Sequence, residues 1–242
     1  MIKNIFKKKI NPEMRIVTDH LGLYQIEECI PKSGNHFFPP WLKNVKKKLT
    51  NEEVDKGTIK NCPVVPEYLT QGAVIPMWCD TKIYADDNSW KVDVSNNDFT
   101  WEYHDDSQFL DYLPDHINPS DYIVLKTICP WHVITSSGYS CYQQDLYYHY
   151  NEDFFILPGS INTDYHHIIN QQVLVKKHKK ITIPRGTPFA WYIPYKREKY
   201  NISSGISTEK EKLSIFRSHF DITSKFGGSY KKKAKELKKM SI

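Results

Sequence analysis

The chain has 242 residues, of which 40% are hydrophobic and 14% aromatic, and its formal net charge is +5. This length and composition predict a folded protein with one substantial core and exclude an intrinsically disordered chain. No run of about 18 apolar residues occurs and the N-terminus lacks a hydrophobic signal core, so we expect a soluble protein without a membrane partner.

The five cysteines form no Cys-x-x-Cys pair and are odd in number. This pattern excludes a zinc knuckle and argues against a disulfide framework. We therefore expect the protein to be made in a reducing compartment, the cytoplasm, which is the host-cell cytoplasm if a phage encodes it. The sequence indicates no particular cofactor.

Lysines gather in runs, at residues 7–9, 46–48, 176–180 and 231–233. Such runs can contact phosphate backbones or an acidic partner. They lack the regularly interleaved aromatic residues with which proteins bind single strands. We therefore interpret them as solvated turns and tails, and the sequence does not favour nucleic acid as a partner.

In the first half of the chain, strand patterns predominate. Residues 12–30 alternate apolar and polar positions and predict one or two strands. Residues 36–42 are rich in proline and aromatics and predict an extended arm pinned onto the domain. Residues 72–78 predict a buried strand, and residues 82–104 predict a hairpin that turns at 87–89 and continues through 98–104.

The second half predicts more strands and then a helical tail. A strand is expected at residues 122–129, and four or five more are expected between residues 131 and 195. In the tail, Leu213, Phe216 and Phe220 have a helical spacing, and Gly227-Gly228 predicts a break in that helix.

Together these elements predict a single all-β domain, a β-clip-like or jelly-roll-like sandwich with an N-terminal arm and short C-terminal helices. The predicted divisions are an N-terminal strand-bearing basic and aromatic arm at residues 1–48, a β-rich core at 49–208 and a basic helical tail at 209–242.

Three glycine-centred turns between residues 134 and 190 are the candidate site. In the first, hydroxyl residues precede Gly138; in the second, Asn162, Asp164 and Tyr165 follow Gly159; in the third, Gly186 lies next to a basic residue. Amides and hydroxyls around a glycine can bind an anion, and a nearby tyrosine can stack on a ring. Ordinary hairpin turns have the same composition, so both interpretations stay open.

The order of these turns resembles the motifs of the deoxyuridine triphosphatase and deoxycytidine deaminase superfamily, which has the β-clip fold. The corresponding segments here are Ser137-Gly138, Gly159-Ser160-Ile161-Asn162-Thr163-Asp164-Tyr165 and Gly186-Thr187-Pro188-Phe189-Ala190-Trp191. The resemblance covers roughly the last third to half of the chain. It implies a pocket for a nucleotide-like or other small acidic ligand, and the residues expected to bind it are Ser136, Ser137, Asn162, Asp164, Tyr165 and Arg185.

The chain departs from that superfamily where its chemistry is concentrated. Asn162 stands where those enzymes carry the carboxylate that orients the attacking water, and an amide cannot act as a base. Ser136 stands where their phosphate-binding arginine would be, and Trp191 replaces a glutamine. Asp164 is a displaced alternative base. The resemblance therefore implies ligand binding without triphosphatase activity, and no catalytic residue is assigned.

A further segment of interest follows the last predicted strand. Lys196 and Arg197 are placed there to bind either an acidic ligand or an acidic loop of a protein, and solvent exposure is the alternative interpretation.

Most of the chain also resembles an uncharacterised family seen in marine phages and some bacteria. The shared pattern consists of Trp41, Cys62-Pro63, Gly72-Ala73-Val74-Ile75-Pro76, Gly138-Tyr139-Ser140, Leu157-Pro158-Gly159 and the Ile183-Pro184 to Pro188 turn. This resemblance implies a phage or bacterial cytoplasmic protein and no particular activity.

Two other functions are left open by the sequence. The first is a structural or assembly role, as a virion component or a self-associating protein, through the aromatic arm at residues 37–41 and the basic tail. The second is a metal-dependent oxygenase using His149 with His166 or His167, although the His-x-Asp spacing typical of such sites is not met.

Overall fold

The computed structural model describes residues 11–51, 54–62, 64–108, 112, 114, 121–223 and 236. Residues Pro12–Arg197 form one compact unit, and of the described residues Asn11, those at 198–223 and Glu236 belong to a second unit. The predicted boundaries at residues 48 and 208 stay a prediction.

The first unit is all-β, as the sequence predicted, and its described strands are joined by short helices. The strands are β1 Met14–Val17, β2 Lys32–Ser33, β3 Lys48–Asn51, β4 Val54–Gly57, β5 Ala73–Pro76, β6 Thr81–Ala85, β7 Trp90–Val94, β8 Trp101–His104, β9 Tyr122–Thr127, β10 His132–Thr135, β11 Tyr139–Gln144, β12 Phe154–Ile156, β13 Gly159–Ile161, β14 Gln172–Lys176, β15 Ile181–Ile183 and β16 Pro188–Lys196. The helices of this unit are α1 Leu21–Tyr24, α2 Pro40–Asn44 and α3 Val64–Leu69, with single 3₁₀ turns at Glu27–Cys29, Gly34–Phe37, Ile59–Asn61, Asp106–Gln108 and Tyr147–His149.

All strand pairs among the described residues are antiparallel. A five-stranded sheet has the order β13-β11-β16-β5-β2, a four-stranded sheet has the order β12-β14-β9-β8, and a three-stranded sheet has the order β15-β6-β7. Two ribbons, β1-β10 and β3-β4, complete the pairing. Strand β16 is central because it pairs with β11 on one side and with β5 on the other.

The main core lies between the five-stranded and four-stranded sheets. The ring of Phe189, on β16, lies 6.1 Å from that of Trp101 on β8 and 5.6 Å from that of Phe154 on β12. All three side chains belong to one buried cluster, to which the three-stranded sheet contributes Ile83 and Ile183. Facing sheets with an apolar interior are the arrangement of a sandwich. Whether the sandwich is of the β-clip or the jelly-roll type stays a prediction.

A second apolar cluster covers the other face of β16. Trp191 packs there with Leu42 of α2 and with Val65 and Leu69 of α3. Phe189, Ala190 and Tyr192 belong to the main core, whereas Trp191 and Ile193 pack in the second cluster, so both faces of β16 contact apolar residues. This explains why the segment from Phe189 to Ile193 is continuously apolar instead of alternating.

The segment at residues 36–42 is helical rather than extended. Pro40 occupies the first turn of α2, where its missing N–H and fixed φ are favourable. Phe37 and Phe38 pack against the second cluster, and the Trp41 indole Nε1 donates a hydrogen bond to the carbonyl of Tyr148 at 2.7 Å. The aromatic side chains of the predicted arm thus pack onto their own domain.

Residues 12–30 contain a single strand, β1, and then helical turns. Leu23 and Cys29 are buried and Ile26 is half-buried, at intervals of three residues. This spacing places the three side chains on the inner side of successive helical turns. The apparent alternation in the sequence was therefore misleading after residue 17.

The hairpin prediction is correct for its first half. Strands β6 and β7 pair from Thr81↔Val94 to Ala85↔Trp90, around the expected turn. Strand β8 does not continue that hairpin, because it pairs with β9 in the four-stranded sheet. The region 131–195 contains seven strands instead of four or five, since β12, β13 and β15 have only three residues each and are too short to show alternation.

The buried strand predicted at residues 72–78 is β5, and the strand predicted at 122–129 is β9. In the second unit, helix α4 spans Glu209–Thr223, where the sequence predicted a helix. The predicted break at Gly227-Gly228 lies outside the described residues. Within the described ranges no helix is both long and apolar enough to cross a bilayer.

Candidate functional site

Strand pairing brings two of the three predicted turns to one edge of the five-stranded sheet. Strand β11 lies between β13 and β16, with Cys141 opposite Ile161 and Tyr139 opposite Lys196. The residues that follow β13 and β16 therefore both lie beside the beginning of β11. This places Asn162 and Arg197 next to the turn that precedes β11.

The turn at Gly138 is the first part of this site. Its φ of +82° is in the left-handed region, which a residue with a Cβ rarely adopts, so the turn needs glycine. Its N–H donates a hydrogen bond to Oδ2 of Asp164 at 2.8 Å, and its carbonyl accepts one from the Arg197 backbone N–H at 2.8 Å. The predicted anion-binding turn thus already binds an anionic group, the carboxylate of Asp164.

Arg197 binds the same carboxylate with both terminal nitrogens. Nη1 lies 2.7 Å from Oδ1 and Nη2 lies 2.5 Å from Oδ2. This is the bidentate geometry in which a guanidinium binds a carboxylate most strongly. Nη1 also donates to Ser140 Oγ at 2.8 Å and to the Tyr139 carbonyl at 3.2 Å. Only 10% of the Asp164 side chain is exposed, against 38% of the Arg197 side chain.

These contacts fix the charge state of Asp164. The hydrogen bonds from Arg197, and after them the bond from the Gly138 amide, lower the pKa of the Asp164 carboxyl to about 2. The bond to Asp164 in turn raises the pKa of Arg197. A carboxylate with such a low pKa and with both oxygens hydrogen-bonded is a poor general base. The alternative in which Asp164 replaces the missing base is therefore not supported by its geometry.

Asn162 and Ser136 take part in hydrogen bonds within the protein. Asn162 Oδ1 accepts a bond from Ser140 Oγ at 2.9 Å. Ser136 Oγ accepts one from the Glu13 backbone N–H at 2.8 Å, which joins the turn to the residue before β1. These residues hold the turns in position.

Ser137 and Tyr165 face solvent at this edge. Tyr165 is 87% exposed and follows Asp164 directly. It is anchored through its backbone N–H, which donates to the Asn162 carbonyl at 2.9 Å. The turn below it is fixed by the buried pair of Thr135 and Thr163, whose hydroxyl oxygens are 2.8 Å apart. An exposed ring on a rigid turn is available for stacking on a ligand.

Arg185 lies elsewhere. It precedes β16, whereas Arg197 follows it, and nine strand residues separate the two ends by about 25 Å or more at about 3.3 Å per residue. Arg185 binds Glu28 through Nε and Nη2, at 3.1 and 2.8 Å, and its backbone N–H donates to Asp80. The structure thus groups Ser136, Ser137, Asn162, Asp164 and Tyr165, but it does not bring Arg185 to them.

Arg185 borders a cavity of about 570 Å³ at the other end of the domain, whose size suits a small ligand. Asp19, Asp98 and Arg185 are among its lining residues, and Glu28 already pairs with Arg185. Carboxylates outnumber the single arginine there, so an acidic ligand would be repelled. The Arg197 edge suits such a ligand better.

The histidines considered for a metal site serve other contacts. Nε2 of His149 lies 2.9 Å from the Phe37 carbonyl, and burial lowers the pKa of this histidine. Nδ1 of His167 lies 3.0 Å from the Thr163 carbonyl, and His166 faces solvent. In the part of the chain that the structure describes, no three His, Cys, Asp or Glu residues are grouped so that they could hold a metal ion.

Neither the central role of Arg197 nor the contribution of Ser140 was predicted from the sequence. A signal for Arg197 was present, because it follows a strand end and was expected to bind an acidic ligand or an acidic protein loop. The structure shows Arg197 bound to Asp164, an acidic residue of the protein's own turn. Ser140 gave no signal, since its position between β13 and β16 depends on strand order.

No protein-family model matches the chain. No curated protein sequence matches it either. The resemblance to the deoxyuridine triphosphatase superfamily and the resemblance to the phage and bacterial family therefore stay predictions.

Proposed function

We propose that this chain is a binding protein for a nucleotide-like or other small acidic ligand, without triphosphatase activity, and that the ligand binds at the Arg197 edge. The observation that carries the proposal is the two-pronged bond between Arg197 and Asp164, supplemented by the Gly138 amide. A guanidinium and a backbone N–H that already converge on a carboxylate are arranged to receive the acidic group of a ligand.

In this proposal the acidic group of the ligand competes with Asp164. The Arg197 side chain is 38% exposed, so a ligand can approach it from solvent. A phosphate or carboxylate that takes over the bonds from Arg197 and Gly138 would release the Asp164 side chain. The side chain of Tyr165, which directly follows Asp164, would then stack on the ring of the ligand.

The same contacts argue against hydrolysis at this site. Asn162 has no basic group, and Asp164 has a pKa of about 2 and is bound on both oxygens. In the hydrogen bonds that join Gly138, Ser140, Asn162 and Arg197, the carboxylate that takes part is that of Asp164. Binding therefore occurs without a residue that could activate water.

A thermal-shift panel of nucleotides and small dicarboxylates tests the proposal. A ligand at about 100 times its Kd stabilises the folded state by about 2.7 kcal/mol, which raises the Tm of a domain of this size by about 5–10 °C. Arg197→Gln and Tyr165→Ala are expected to abolish the shift. Lys82→Gln, which removes an exposed lysine on β6, is the matched control and is expected to keep it.

Two outcomes would contradict the proposal. One is the absence of a shift with every compound of the panel. The other is a shift that Arg197→Gln and Tyr165→Ala leave as large as in the wild-type protein. Release of inorganic phosphate from a nucleoside triphosphate, abolished by Asp164→Asn, would contradict the non-catalytic part.

Helix α4 supports self-association as a second candidate function. Leu213, Phe216 and Phe220 follow one another at intervals of three and four residues and each exposes at least half of its surface. Such an apolar stripe on a helix is typical of a seam between two helices. Analytical ultracentrifugation is expected to show a dimer that Phe216→Ser dissociates, and a monomer at high protein concentration would reject this candidate.

A further inference from the structure

We propose that a second surface pocket, distinct from the Arg197 edge, binds one neutral pyranose ring of a carbohydrate. This pocket has a volume of about 270 Å³ and lies between the β6-β7 turn and strands β8 and β9. Its lining residues are Asp86, Asp87, Asn88, Ser89, Trp90, Tyr103, Ile123 and Lys177. The proposal does not depend on the function proposed for the Arg197 edge.

Two exposed aromatic rings form a platform in this pocket. Trp90 on β7 and Tyr103 on β8 are nearly parallel, with an interplanar angle of 26° and centroids 6.3 Å apart. The centroid separation is too large for close face-to-face stacking, so each ring leaves part of its face open. Trp90 is 38% exposed and Tyr103 is 41% exposed. A flat apolar face of this kind suits the C–H face of a sugar ring.

Polar groups of opposite sign lie beside the platform. Oδ1 of Asp87 is 3.8 Å from Nζ of Lys177, and 3.5 Å from Nε2 of His178. Asp87 is 60% exposed, whereas the Lys177 side chain is only 9% exposed. A carboxylate accepts and an ammonium donates, so this pair can bind two neighbouring hydroxyl groups, of which one donates and the other accepts.

The charge balance of the pocket favours a neutral ligand. Asp86 and Asp87 contribute two negative charges and Lys177 one positive charge, which repels phosphates and carboxylates. Asp86 is already engaged, because its Oδ1 accepts bonds from the backbone N–H groups of Asn88 and Ser89 at 2.9 and 2.8 Å. Asp87 is exposed whereas Asp86 is half-buried, so Asp87 is the more accessible carboxylate for a ligand's hydroxyl groups.

Hydrogen bonds hold the β6-β7 turn of the pocket and the residue that follows Lys177. The bonds to Asp86 fix the turn that carries Asp87 and Trp90. His178 has a φ of +59°, an unfavourable conformation for a residue other than glycine, and its backbone N–H donates to the Ala85 carbonyl at 2.7 Å. Backbone strain that the surrounding contacts maintain is concentrated at binding sites in proteins.

An NMR titration of the full chain tests the proposal. The probes are the methyl glycosides of glucose, galactose and mannose, with adenosine monophosphate as the acidic comparison. We expect one glycoside to shift the Trp90 indole N–H resonance with a Kd on the order of 1 mM, as is usual for few contacts. Adenosine monophosphate is expected to leave that resonance unchanged. Trp90→Phe identifies the resonance by its loss.

Variants complete the test. Trp90→Ala and Asp87→Ala are each expected to weaken glycoside binding at least tenfold, while Trp90→Phe retains most of it because the ring persists. Tyr24→Ala, which removes an exposed ring outside the pocket, is expected to bind as the wild-type protein does. Circular dichroism confirms that each variant is folded. Glycoside binding that survives Trp90→Ala, a panel without any binding, or a stronger response to adenosine monophosphate would overturn the proposal.

Discussion

At the scale of single residues, the carboxylate of Asp164 occupies the Gly138 turn, where the sequence predicted that a ligand would bind. The sequence indicated an anion-binding turn at Gly138, and the structure places an anion there that belongs to the chain itself. The pair with Arg197 explains why Asp164 is held ionised. It also explains why the residue is unsuited to the catalytic role that its position in the motif allowed.

The low pKa of Asp164 can be tested by titrating its carboxyl group. Monitored through its carboxyl carbon by NMR, Asp164 is expected to titrate at about 2, and in Arg197→Gln the midpoint should rise towards the ordinary value of 3.8. Because the pKa is lowered by folding, the carboxylate stabilises the fold above pH 3.8, and this stabilisation is lost as the pH falls towards 2. A midpoint near 3.8 in the wild-type protein would show that the pair does not form.

A second prediction at this scale concerns the contribution of the Tyr192 hydroxyl to the stability of the fold. Its buried hydroxyl donates to Gln143 Oε1 at 2.8 Å and accepts from Gln171 Nε2 at 2.6 Å. Tyr192→Phe leaves both amide groups without this partner inside the core and is expected to destabilise the fold by about 1–3 kcal/mol. Tyr142→Phe, on the exposed face of β11, is the control and should change stability by less than about 0.5 kcal/mol.

Urea denaturation of the wild-type protein and the two variants measures these differences. Equal stability of Tyr192→Phe and the wild-type protein would mean that the buried amides find other partners. The same chain of hydrogen bonds extends from Gln171 to Thr127 on β9. It therefore joins the two facing sheets, and its loss is expected to affect the whole sandwich.

At the scale of elements, strand β16 organises the domain, and one glycine allows another segment to approach it. Gly72 has a φ of +53°, and a Cβ at this position would lie 2.0 Å from the Tyr192 carbonyl oxygen. Gly72→Ala is therefore expected to destabilise the fold by at least about 2 kcal/mol. Gly22→Ala on α1, where a Cβ would meet no atom within 4 Å, is the matched control.

The control should be neutral, or stabilising by up to about 1 kcal/mol, because alanine is favoured over glycine in a helix. Thermal unfolding followed by circular dichroism provides the comparison. If Gly72→Ala unfolds at the same temperature as Gly22→Ala, the close approach between Gly72 and β16 is not present in solution.

The strands that the sequence predicted well are those with either a continuous apolar run or clear alternation. Strand β5 is an apolar run buried under two clusters, and β7 alternates at Trp90, Val92 and Val94. Strands of three residues, such as β13, gave no such pattern. Partner choice also could not be predicted, since β8 follows β7 in sequence but pairs with β9 through contacts that depend on the whole fold.

At the scale of the molecule, the prediction of an all-β fold is confirmed, whereas the structure brings together only part of the predicted pocket. The turns at Gly138 and Gly159 meet because β11 pairs with β13, and Arg185 is excluded because β16 carries it to the opposite end. From their order along the chain, all three glycine-centred turns were expected to form one site. Their distances depend on strand order and strand length, which the spacing of glycines does not encode.

The central claim is that an acidic ligand competes with Asp164 for Arg197, and calorimetric titration of Asp164→Asn tests it most directly. The titrant is the nucleotide or dicarboxylate that gives the largest thermal shift with the wild-type protein. Because the variant removes the competing carboxylate but keeps Arg197 and Gly138, it is expected to bind this compound at least tenfold more tightly. Unchanged or weaker binding by Asp164→Asn would contradict the claim.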